Sequence, residues 1–297
     1  MFAAMSIREA YRHFLLQLQE IYALGEATAI TDRVFESLCD IRKTDLIKAP
    51  QQPIEESKKS LLATTLTALQ NHQPVQYVLG EAWFGHLKLK VNRHVLIPRP
   101  ETEELVETIL DDLRKIYQLR EPGNPRKTGM VHILDIGTGS GCIPIALKKA
   151  WPAAQITAID TSAEALLLAR ENASFHHCDI SFQQLDFLDE KAWDTLPQFD
   201  IIVSNPPYIP EKDKEILEKN VVDWEPHLAL FVPENGPLLF YRKIAAFAKT
   251  HLLPGGKIYL ELHSPLAAET AELFRRDYTN ISLKKDLSGL ERMLVVS

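Results

Sequence analysis

Cysteines and long apolar runs are both scarce in this chain of 297 residues. Its three cysteines, Cys39, Cys142 and Cys178, are too few and too scattered for a disulfide framework, so we expect free thiols in a reducing compartment. No apolar run approaches the ~18 residues that a membrane span requires. The chain also lacks an opening basic segment followed by an apolar one, which is the pattern of a secretory signal. We therefore expect a cytoplasmic protein without a membrane partner.

Basic residues do not outnumber acidic ones. The chain has 33 Lys and Arg against 40 Asp and Glu, a formal net charge of −7. Domains that bind phosphate backbones usually carry a basic face, so this balance argues against direct nucleic-acid binding, although it is compatible with a local basic patch. The hydrophobic share of 45% and the charged share of 25% are those of an ordinary soluble globular protein, and the length favours two domains.

The first 80 residues carry helical patterns. Ser6 followed by Glu9 has the form of a capping box, and apolar residues recur after it at helical spacing. Gly25 is predicted to end this helix, and further helices are predicted over residues 32–41 and 55–70. We expect residues 1–80 to form a small all-α domain that docks the substrate and carries no catalytic residues.

The spacing of apolar residues changes near residue 84 from a helical to an alternating one. Residues 87–91 alternate strictly between apolar and polar side chains, and residues 92–94 can turn the chain into residues 95–97. This predicts a β-hairpin of those two segments, within a linker over residues 81–98. A helix is then predicted to open near Pro100 and to run to about Tyr117.

From residue 130 onward, predicted strands and helices alternate. The strands are predicted over residues 131–135, 156–160, 180–185, 201–204, 256–262, 281–287 and 293–296, and the helices over residues 142–150, 163–173, 237–250 and 267–275. This alternation predicts an α/β fold, with a mostly parallel seven-stranded sheet covered by helices on both faces. We expect this catalytic domain to occupy residues 99–297.

A glycine-rich turn follows the first of these strands. Residues 135–141 read Asp-Ile-Gly-Thr-Gly-Ser-Gly, which places glycines where the backbone must pass close to a ligand. The dinucleotide fingerprint has its third glycine where this chain has Cys142, and no lysine follows to suggest a P-loop. The turn therefore favours a ligand without phosphates. The alternative is a set of turn glycines and a helix-capping aspartate in another kind of α/β protein.

Acidic residues also end the next two strands. Asp160 ends the second strand, where a carboxylate can take both hydroxyls of a ribose. Asp186 and Phe187 end the third, where polar contact and ring packing suit an adenine. Asp135 could accept from the amino group of an amino-acid moiety. Together these features predict S-adenosylmethionine as the cofactor. Its predicted contacts are Asp135, Gly137, Thr138, Gly139, Ser140, Gly141, Asp160, Asp186 and Phe187.

The motif Asn205-Pro206-Pro207-Tyr208 follows the fourth strand, at the sheet edge where ligands bind. The prolines hold Asn205 extended and keep the Pro206 carbonyl out of helical bonding. The Asn205 side-chain oxygen and a backbone carbonyl are then two fixed acceptors, and Tyr208 offers a ring face. Such a set can bind the two N–H groups of an amide or aromatic amine and aim this poor nucleophile at a methyl carbon. We predict Asn205, Pro206 and Tyr208 as catalytic and all four residues as substrate-binding; the alternative is a rigid Pro-Pro turn.

Further segments carry a resemblance to a known family. They are Leu-Ile-Pro-Arg-Pro-Glu-Thr-Glu at residues 96–103, Trp224-Glu225-Pro226 with Ala229-Leu230, and Gly289 with Glu291-Arg292. With the glycine-rich turn, Asp160 and the Asn-Pro-Pro-Tyr motif, they make the sequence similar over essentially its whole length to the release factor glutamine methyltransferases (HemK/PrmC), which are protein-(glutamine-N5) methyltransferases.

The resemblance implies a class I S-adenosylmethionine-dependent methyltransferase fold, which is Rossmann-like, with a helical N-terminal domain. It implies methylation of the side-chain amide nitrogen of the glutamine in the Gly-Gly-Gln loop of peptide-chain release factors. The family's cofactor contacts would fall on residues 137–141, Asp160, Phe187 and Asn205, and its glutamine contacts on residues 205–208.

Three other activities stay open at this point. A ribosomal-protein glutamine methyltransferase would share the chemistry and differ in docking. A nucleic-acid adenine amino-methyltransferase would carry a basic target-recognition insert. A non-catalytic cofactor-binding module would not need the Asn-Pro-Pro-Tyr motif.

Other polar segments are given structural roles. Residues 176–179 read His-His-Cys-Asp, but neighbours on an extended chain point to opposite faces and no second pair follows at zinc spacing. We therefore expect no metal. Arg99 and Glu101 are expected either to brace the domain junction or to touch the substrate. We expect a monomer.

Overall fold

The computed structural model describes residue 2 and residues 5–118, 130–233 and 236–297. The chain divides into two compact units. The first comprises Met1–Glu81 together with Glu218–Trp224, and the second comprises Ala82–Leu217 with Glu225–Ser297. No helix among the described residues combines the length and the apolar character needed to cross a bilayer.

The first unit is helical. Its helices are α1 (Ile7–Leu18), α2 (Leu24–Cys39), α3 (Lys43–Lys48), α4 (Glu56–Gln70) and α5 (Val75–Leu79). The predicted capping box is present, because the Ser6 N–H donates to the Glu9 carboxylate at 2.9 Å and the Glu9 N–H donates to the Ser6 hydroxyl. The Phe14 and Phe35 rings meet edge to face at 5.7 Å in the core of this unit. Trp224 belongs to the same unit, since its indole N–H donates to the Asn71 carbonyl at 3.3 Å.

Two predicted helix boundaries are wrong. Gly25 does not end α1; it lies in the first turn of α2, while α1 ends at Leu18 with Gln19 as a right-handed cap at φ −66°. A cap in that conformation does not need a glycine. The helix predicted over residues 32–41 begins eight positions earlier, at Leu24, and closes at Asp40, which takes a left-handed φ of 56°.

A β-hairpin is present, but residues 87–90 pair with the strand before them and not with residues 95–97. Strands β1 (Glu81–Phe84) and β2 (Leu87–Lys90) form a two-stranded sheet, joined through Gly85 at φ +55°. The predicted pairing of residues 87–91 with residues 95–97 is wrong. Residues 95–97 form no strand. The Ile97 N–H instead donates to the buried Glu225 carboxylate at 3.0 Å.

The second unit is built around one seven-stranded sheet. Its strands are β3 (His132–Ile136), β4 (Gln155–Asp160), β5 (Ser181–Gln184), β6 (Phe199–Ser204), β9 (Leu252–Glu261), β10 (Ile281–Lys285) and β11 (Glu291–Val296), while β7 (Ile209–Pro210) and β8 (Phe231–Val232) form a separate parallel pair. The order is β10-β11-β9-β6-β3-β4-β5, and only β11 runs against its neighbours. The predicted mostly parallel sheet is confirmed.

Helices cover both faces of this sheet. They are α6 (Pro100–Gln118), α7 (Cys142–Ala150), α8 (Ala163–Phe175), α11 (Leu239–His251) and α12 (Ala267–Phe274). The short helix α10 (His227–Leu230) also belongs to this unit, whereas α9 (Lys219–Val222) belongs to the first. Residues of β3 alternate between two cores: Ile133 packs in the core that contains Leu105 of α6, and Leu134 packs in the core that contains Ile244 of α11.

The sheet order places the functional segments together. Strand β3 has β4 on one side and β6 on the other, so the direction of winding reverses there. Ile136 pairs with Ile159 and with Ser204, and Ser204 pairs in turn with Leu260. The carboxyl ends of β4, β3, β6 and β9 therefore lie side by side, at the edge where open α/β sheets bind ligands.

Candidate functional site

The turn after β3 depends on three glycines with left-handed backbone. Gly137, Gly139 and Gly141 have φ of 75°, 53° and 81°. Residues other than glycine rarely adopt such a backbone conformation. A Cβ at Gly141 would lie 3.2 Å from Ile145 and 3.3 Å from Ala169, so this glycine also permits close packing of α7 and α8. Apart from the glycine and its two chain neighbours, no atom of the described residues lies within 4 Å of a Cβ built at Gly137 or Gly139, so those two positions face open space.

Asp160 at the end of β4 holds this turn in place. Its carboxylate accepts the Gly139 N–H at 2.8 Å and the Ser162 N–H at 3.0 Å. Burial raises the pKa of Asp160, while these N–H donors act in the opposite direction. A carboxylate has about four lone-pair directions, so Asp160 keeps acceptor capacity for a ligand hydroxyl.

Asp135 lies beneath the turn as a carboxylate without donors. It is fully buried, and neither of its oxygens accepts a hydrogen bond from a described residue. Burial raises its pKa to about 7, and the charge of Asp160 adds to the shift, whereas the nearby Thr138 hydroxyl lowers the pKa without reaching hydrogen-bond geometry. The buried Thr138 and Ser140 hydroxyls are also unpaired within the described part of the chain. Orphaned groups of this kind suit a polar ligand that supplies the missing partners.

Asp186 and Phe187 follow β5 and line the cavity. The Asp186 carboxylate accepts the Leu188 N–H at 2.9 Å. The Phe187 ring is 5% exposed and packs against Trp193 and Phe247, each at a centroid distance of 5.4 Å. The ring is therefore fixed by the core and leaves little of its surface for a ligand.

The Asn-Pro-Pro-Tyr motif begins where β6 ends. The Ser204 hydroxyl donates to the Ile136 carbonyl at 2.7 Å and so ties this loop to the glycine turn. The Asn205 amide nitrogen donates to the Thr102 hydroxyl at 3.1 Å. No described residue donates to the Pro206 carbonyl. Asn205 Oδ1 and the Pro206 carbonyl thus remain as the two acceptors that the sequence predicts.

Tyr208 is held from two sides. Its hydroxyl donates to Glu261 Oε1 at 3.2 Å, and its ring stacks on His263 with centroids 5.8 Å apart and planes 11° apart. Burial raises the pKa of Tyr208, and the Glu261 charge raises it further. The phenol is therefore a neutral donor.

Thr102 and Glu261 complete the arrangement, and neither was predicted as a site residue. The Thr102 hydroxyl donates to Glu261 Oε2 at 2.6 Å, and the two residues are 2% and 1% exposed. Burial raises the pKa of Glu261 to about 7, against the hydrogen bonds from Thr102 and Tyr208. Thr102 lies in the segment that carries the family resemblance, and Glu261 is the last residue of β9.

Most of the predicted residues line one cavity of about 370 Å³. They are Gly137, Thr138, Gly139, Ser140, Asp160, Asp186, Phe187, Asn205, Pro206 and Pro207. Asp135, Gly141 and Tyr208 are not part of its lining. Sequence reasoning missed Arg93, His94, Val95, Leu96, Thr102, Pro226, Leu228, Ala229 and Phe240, which do line it.

Arg99 is placed at the cavity and beside a buried acidic partner. It lines the cavity, and its guanidinium pairs with the buried Glu225 carboxylate, which also accepts the Ile97 N–H. Within the ranges that the structure describes, no three His, Cys, Asp or Glu side chains are grouped so that they could hold a metal ion.

Two family models match the chain. The one described as the PrmC N-terminal domain matches residues 9–80, and the one described as the methyltransferase small domain matches residues 124–228. The chain is 40% identical over 294 residues to a release factor glutamine methyltransferase of Flavobacterium psychrophilum, covering 99% of both chains. It is 41% identical over 281 residues to one from Streptococcus pneumoniae, covering 94% of both.

A solved structure of low sequence identity is similar to this chain in fold. The hMettl16 catalytic domain in complex with MAT2A 3′UTR hairpin 6 superposes with a TM-score of 0.53 at 14% identity, over 82% of each chain. The fold of the second unit is therefore that of a methyltransferase catalytic domain.

Proposed function

The chain belongs to the release factor glutamine methyltransferase family, and from that membership we propose its substrate, its cofactor contacts and the roles of its residues. The enzyme transfers a methyl group from S-adenosylmethionine to the side-chain amide nitrogen of a glutamine in peptide-chain release factors. The target is the glutamine of their Gly-Gly-Gln loop. One observation carries this proposal: Asn205 is fixed at the carboxyl end of β6 with its amide nitrogen engaged by Thr102, so that its oxygen is left for the substrate.

The residues around the glycine turn fit S-adenosylmethionine. This cofactor supplies a methyl group on a positively charged sulfur, together with an amino-acid moiety, a ribose and an adenine. Asp135 would offer its unpaired carboxylate to the amino-acid end, directly or through a water. Asp160 would accept from the ribose hydroxyls, and Asp186 with Phe187 would border the adenine. Gly137 and Gly139 leave the space that the cofactor would fill.

Asn205 and Pro206 would hold the substrate amide. Its nitrogen is a weak nucleophile because its lone pair is delocalised into the carbonyl. Asn205 Oδ1 and the Pro206 carbonyl would accept its two N–H groups and orient the lone pair towards the methyl carbon. Positioning of this kind can account for much of the rate acceleration, since well-oriented reacting groups reach effective molarities of ~10⁵–10⁸ M. The same acceptors would stabilise the positive charge that grows on nitrogen.

Pro207 and Tyr208 would shape the other side of the substrate pocket. Burial, and then the Glu261 charge, raise the pKa of Tyr208 and keep the phenol neutral, so it would pack beside the planar amide without adding charge. None of these roles requires a metal ion. We assign substrate docking to residues 1–80, a linker role to residues 81–98 and catalysis to residues 99–297; the match of residues 9–80 to the PrmC N-terminal domain supports the first assignment.

The test is transfer of labelled methyl from S-adenosylmethionine to purified, unmethylated release factor. The control substrate is the same factor with Gln→Ala in its Gly-Gly-Gln loop. Labelling of the native factor that is lost in the variant is the expected result. Equal labelling of both would overturn the assigned target residue. No labelling of either factor, by an enzyme that binds the cofactor, would overturn the substrate and direct attention to ribosomal proteins.

A further inference from the structure

We propose that Thr102 and Glu261 are positioning residues, which together set the direction in which the Asn205 amide faces and anchor Tyr208 on the other side of the Pro-Pro step. The inference rests on the proposed function, because it assigns Asn205 to the substrate amide. Neither residue is given a role by the motifs that define the loop. Both are almost completely buried, and Glu261 lies outside the cavity lining.

The hydrogens that Thr102 and Glu261 can donate determine which atom of Asn205 faces Thr102. A threonine hydroxyl has one hydrogen to donate and lone pairs to accept with, and a carboxylate only accepts. Glu261 is ionised above its pKa of about 7. In that form the Thr102 hydroxyl, which lies 2.6 Å from Glu261 Oε2, commits its hydrogen to the carboxylate. Thr102 can then offer Asn205 only a lone pair. The atom of Asn205 that lies 3.1 Å away must be the amide nitrogen, and Oδ1 is turned away from Thr102.

The orientation of the Asn205 amide decides the chemistry of the site. If the Asn205 amide were turned by 180°, it would present an NH₂ group to the substrate amide in place of an acceptor. Donor would then face donor, and the nitrogen to be methylated would lose one of its two orienting bonds. A neutral hydroxyl alone could hold the amide either way round. The Glu261 carboxylate removes that ambiguity.

The same carboxylate reaches the other end of the loop. Its Oε1 accepts the Tyr208 hydroxyl at 3.2 Å, so one side chain fixes the two residues that flank Pro206 and Pro207. Glu261 is itself well anchored. Its backbone carbonyl accepts the Tyr241 hydroxyl at 3.0 Å, and it pairs with Met293 of β11. The β9 strand end is thus a rigid support for the loop.

The test compares Thr102→Val with Thr102→Ser. The valine keeps the shape and removes the hydroxyl, whereas the serine keeps the hydroxyl. Thr270→Val is the matched control, because Thr270 of α12 is also a buried threonine outside the cavity lining, but its hydroxyl donates to the carbonyl of Leu266, the residue before α12. For each variant we would measure kcat, KM for release factor, the Kd for S-adenosylhomocysteine and the NMR signal of the Asn205 side-chain NH₂. That signal is identified by its loss in Asn205→Ala.

In Thr102→Val, kcat is expected to fall by about ten- to a hundredfold, as misorientation at a reacting centre predicts. The Kd for S-adenosylhomocysteine should not change, and the Asn205 NH₂ signal should shift and exchange faster with water. Thr102→Ser should restore kcat and the signal, and Thr270→Val should keep both even if its melting temperature falls.

An unchanged Asn205 signal in Thr102→Val, or a Thr102→Ser variant as impaired as the valine, would overturn the proposal. If the unmodified enzyme did not methylate release factor at all, the proposed function would fail. The NMR comparison would then still decide whether Thr102 orients Asn205.

Discussion

The carboxylate of Asp160 accepts the backbone N–H of Gly139 at 2.8 Å. This bond joins the end of β4 to the middle of the turn that follows β3. The residue predicted to bind the ribose therefore also shapes the turn that would receive the rest of the cofactor.

Asp160→Ala is accordingly expected to weaken cofactor binding. A charge-assisted hydrogen bond to a ribose hydroxyl contributes about 1.5–3 kcal/mol, and loss of the Gly139 contact adds disorder in the turn. Calorimetric titration with S-adenosylhomocysteine measures the effect. An affinity equal to that of the unmodified enzyme would remove Asp160 from the site.

Asn205→Ala should abolish most of the turnover and leave cofactor affinity nearly intact. Removal of one preorganised partner of a reacting group lowers kcat by about 10²–10³-fold. Methyl transfer to release factor and titration with S-adenosylhomocysteine would be measured in parallel. Asn280→Ala is a suitable control, because its side chain is exposed. Near-normal turnover in Asn205→Ala would contradict the mechanism.

Cofactor affinity should rise with pH below neutrality. Burial raises the pKa of Asp135 to about 7, so the free protein holds this carboxyl largely protonated at pH 5.5 and increasingly ionised towards pH 7. Only the ionised form attracts the cofactor's amino group, which stays charged in this range because α-amino groups titrate near 7.7–8.0. The Kd for S-adenosylhomocysteine should therefore fall between pH 5.5 and 7, by at most about tenfold per pH unit. In Asp135→Asn the Kd should depend less on pH. If the Kd of the variant varied with pH as steeply as that of the unmodified enzyme, another titrating group would be responsible.

The same carboxyl should make the cofactor-free protein less stable as pH rises. The pKa of Asp135 is higher in the folded chain than the value of about 3.9 in an unfolded one, so the folded state binds the extra proton. The contribution of Asp135 is then fully present below about pH 4 and is lost as pH rises to about 7. The free energy of unfolding of the unmodified protein, minus that of Asp135→Asn, should decrease across this window. Denaturant titrations at several pH values measure it, and a constant difference would contradict the assignment.

Local sequence patterns predicted the elements of the second unit well. The helix over residues 142–150 has the predicted bounds, and the strands differ from their predicted ends by a few positions, because periodicity and turn residues act over short distances. The predicted pairing of residues 87–91 with residues 95–97 is wrong because it, too, rests on local patterns alone. Residues 95–97 look like a strand locally, but the Ile97 N–H is satisfied by Glu225, which lies 128 positions away.

Thr102 and Glu261 could not be predicted as a pair. Their contact depends on α6 packing against β9, and their proximity to Asn205 depends on β9 lying beside β6, with Leu260 paired to Ser204. Strand order of that kind is decided by the packing of the whole sheet. The Asn205 motif, in contrast, consists of four consecutive residues and can be recognised from the sequence alone, and three of them, Asn205, Pro206 and Pro207, line the cavity.

The Thr102–Glu261 hydrogen bond also shows how differently the two halves of the site are supported along the chain. It joins residues 159 positions apart, whereas the Asp160–Gly139 bond joins residues 21 positions apart. The entropic cost of closing a loop grows slowly, by about 0.6 kcal/mol for each doubling of its length. The substrate side of the site therefore draws its support from the far end of the sequence at little extra cost in loop entropy, while the glycine turn is held by the strand that follows it.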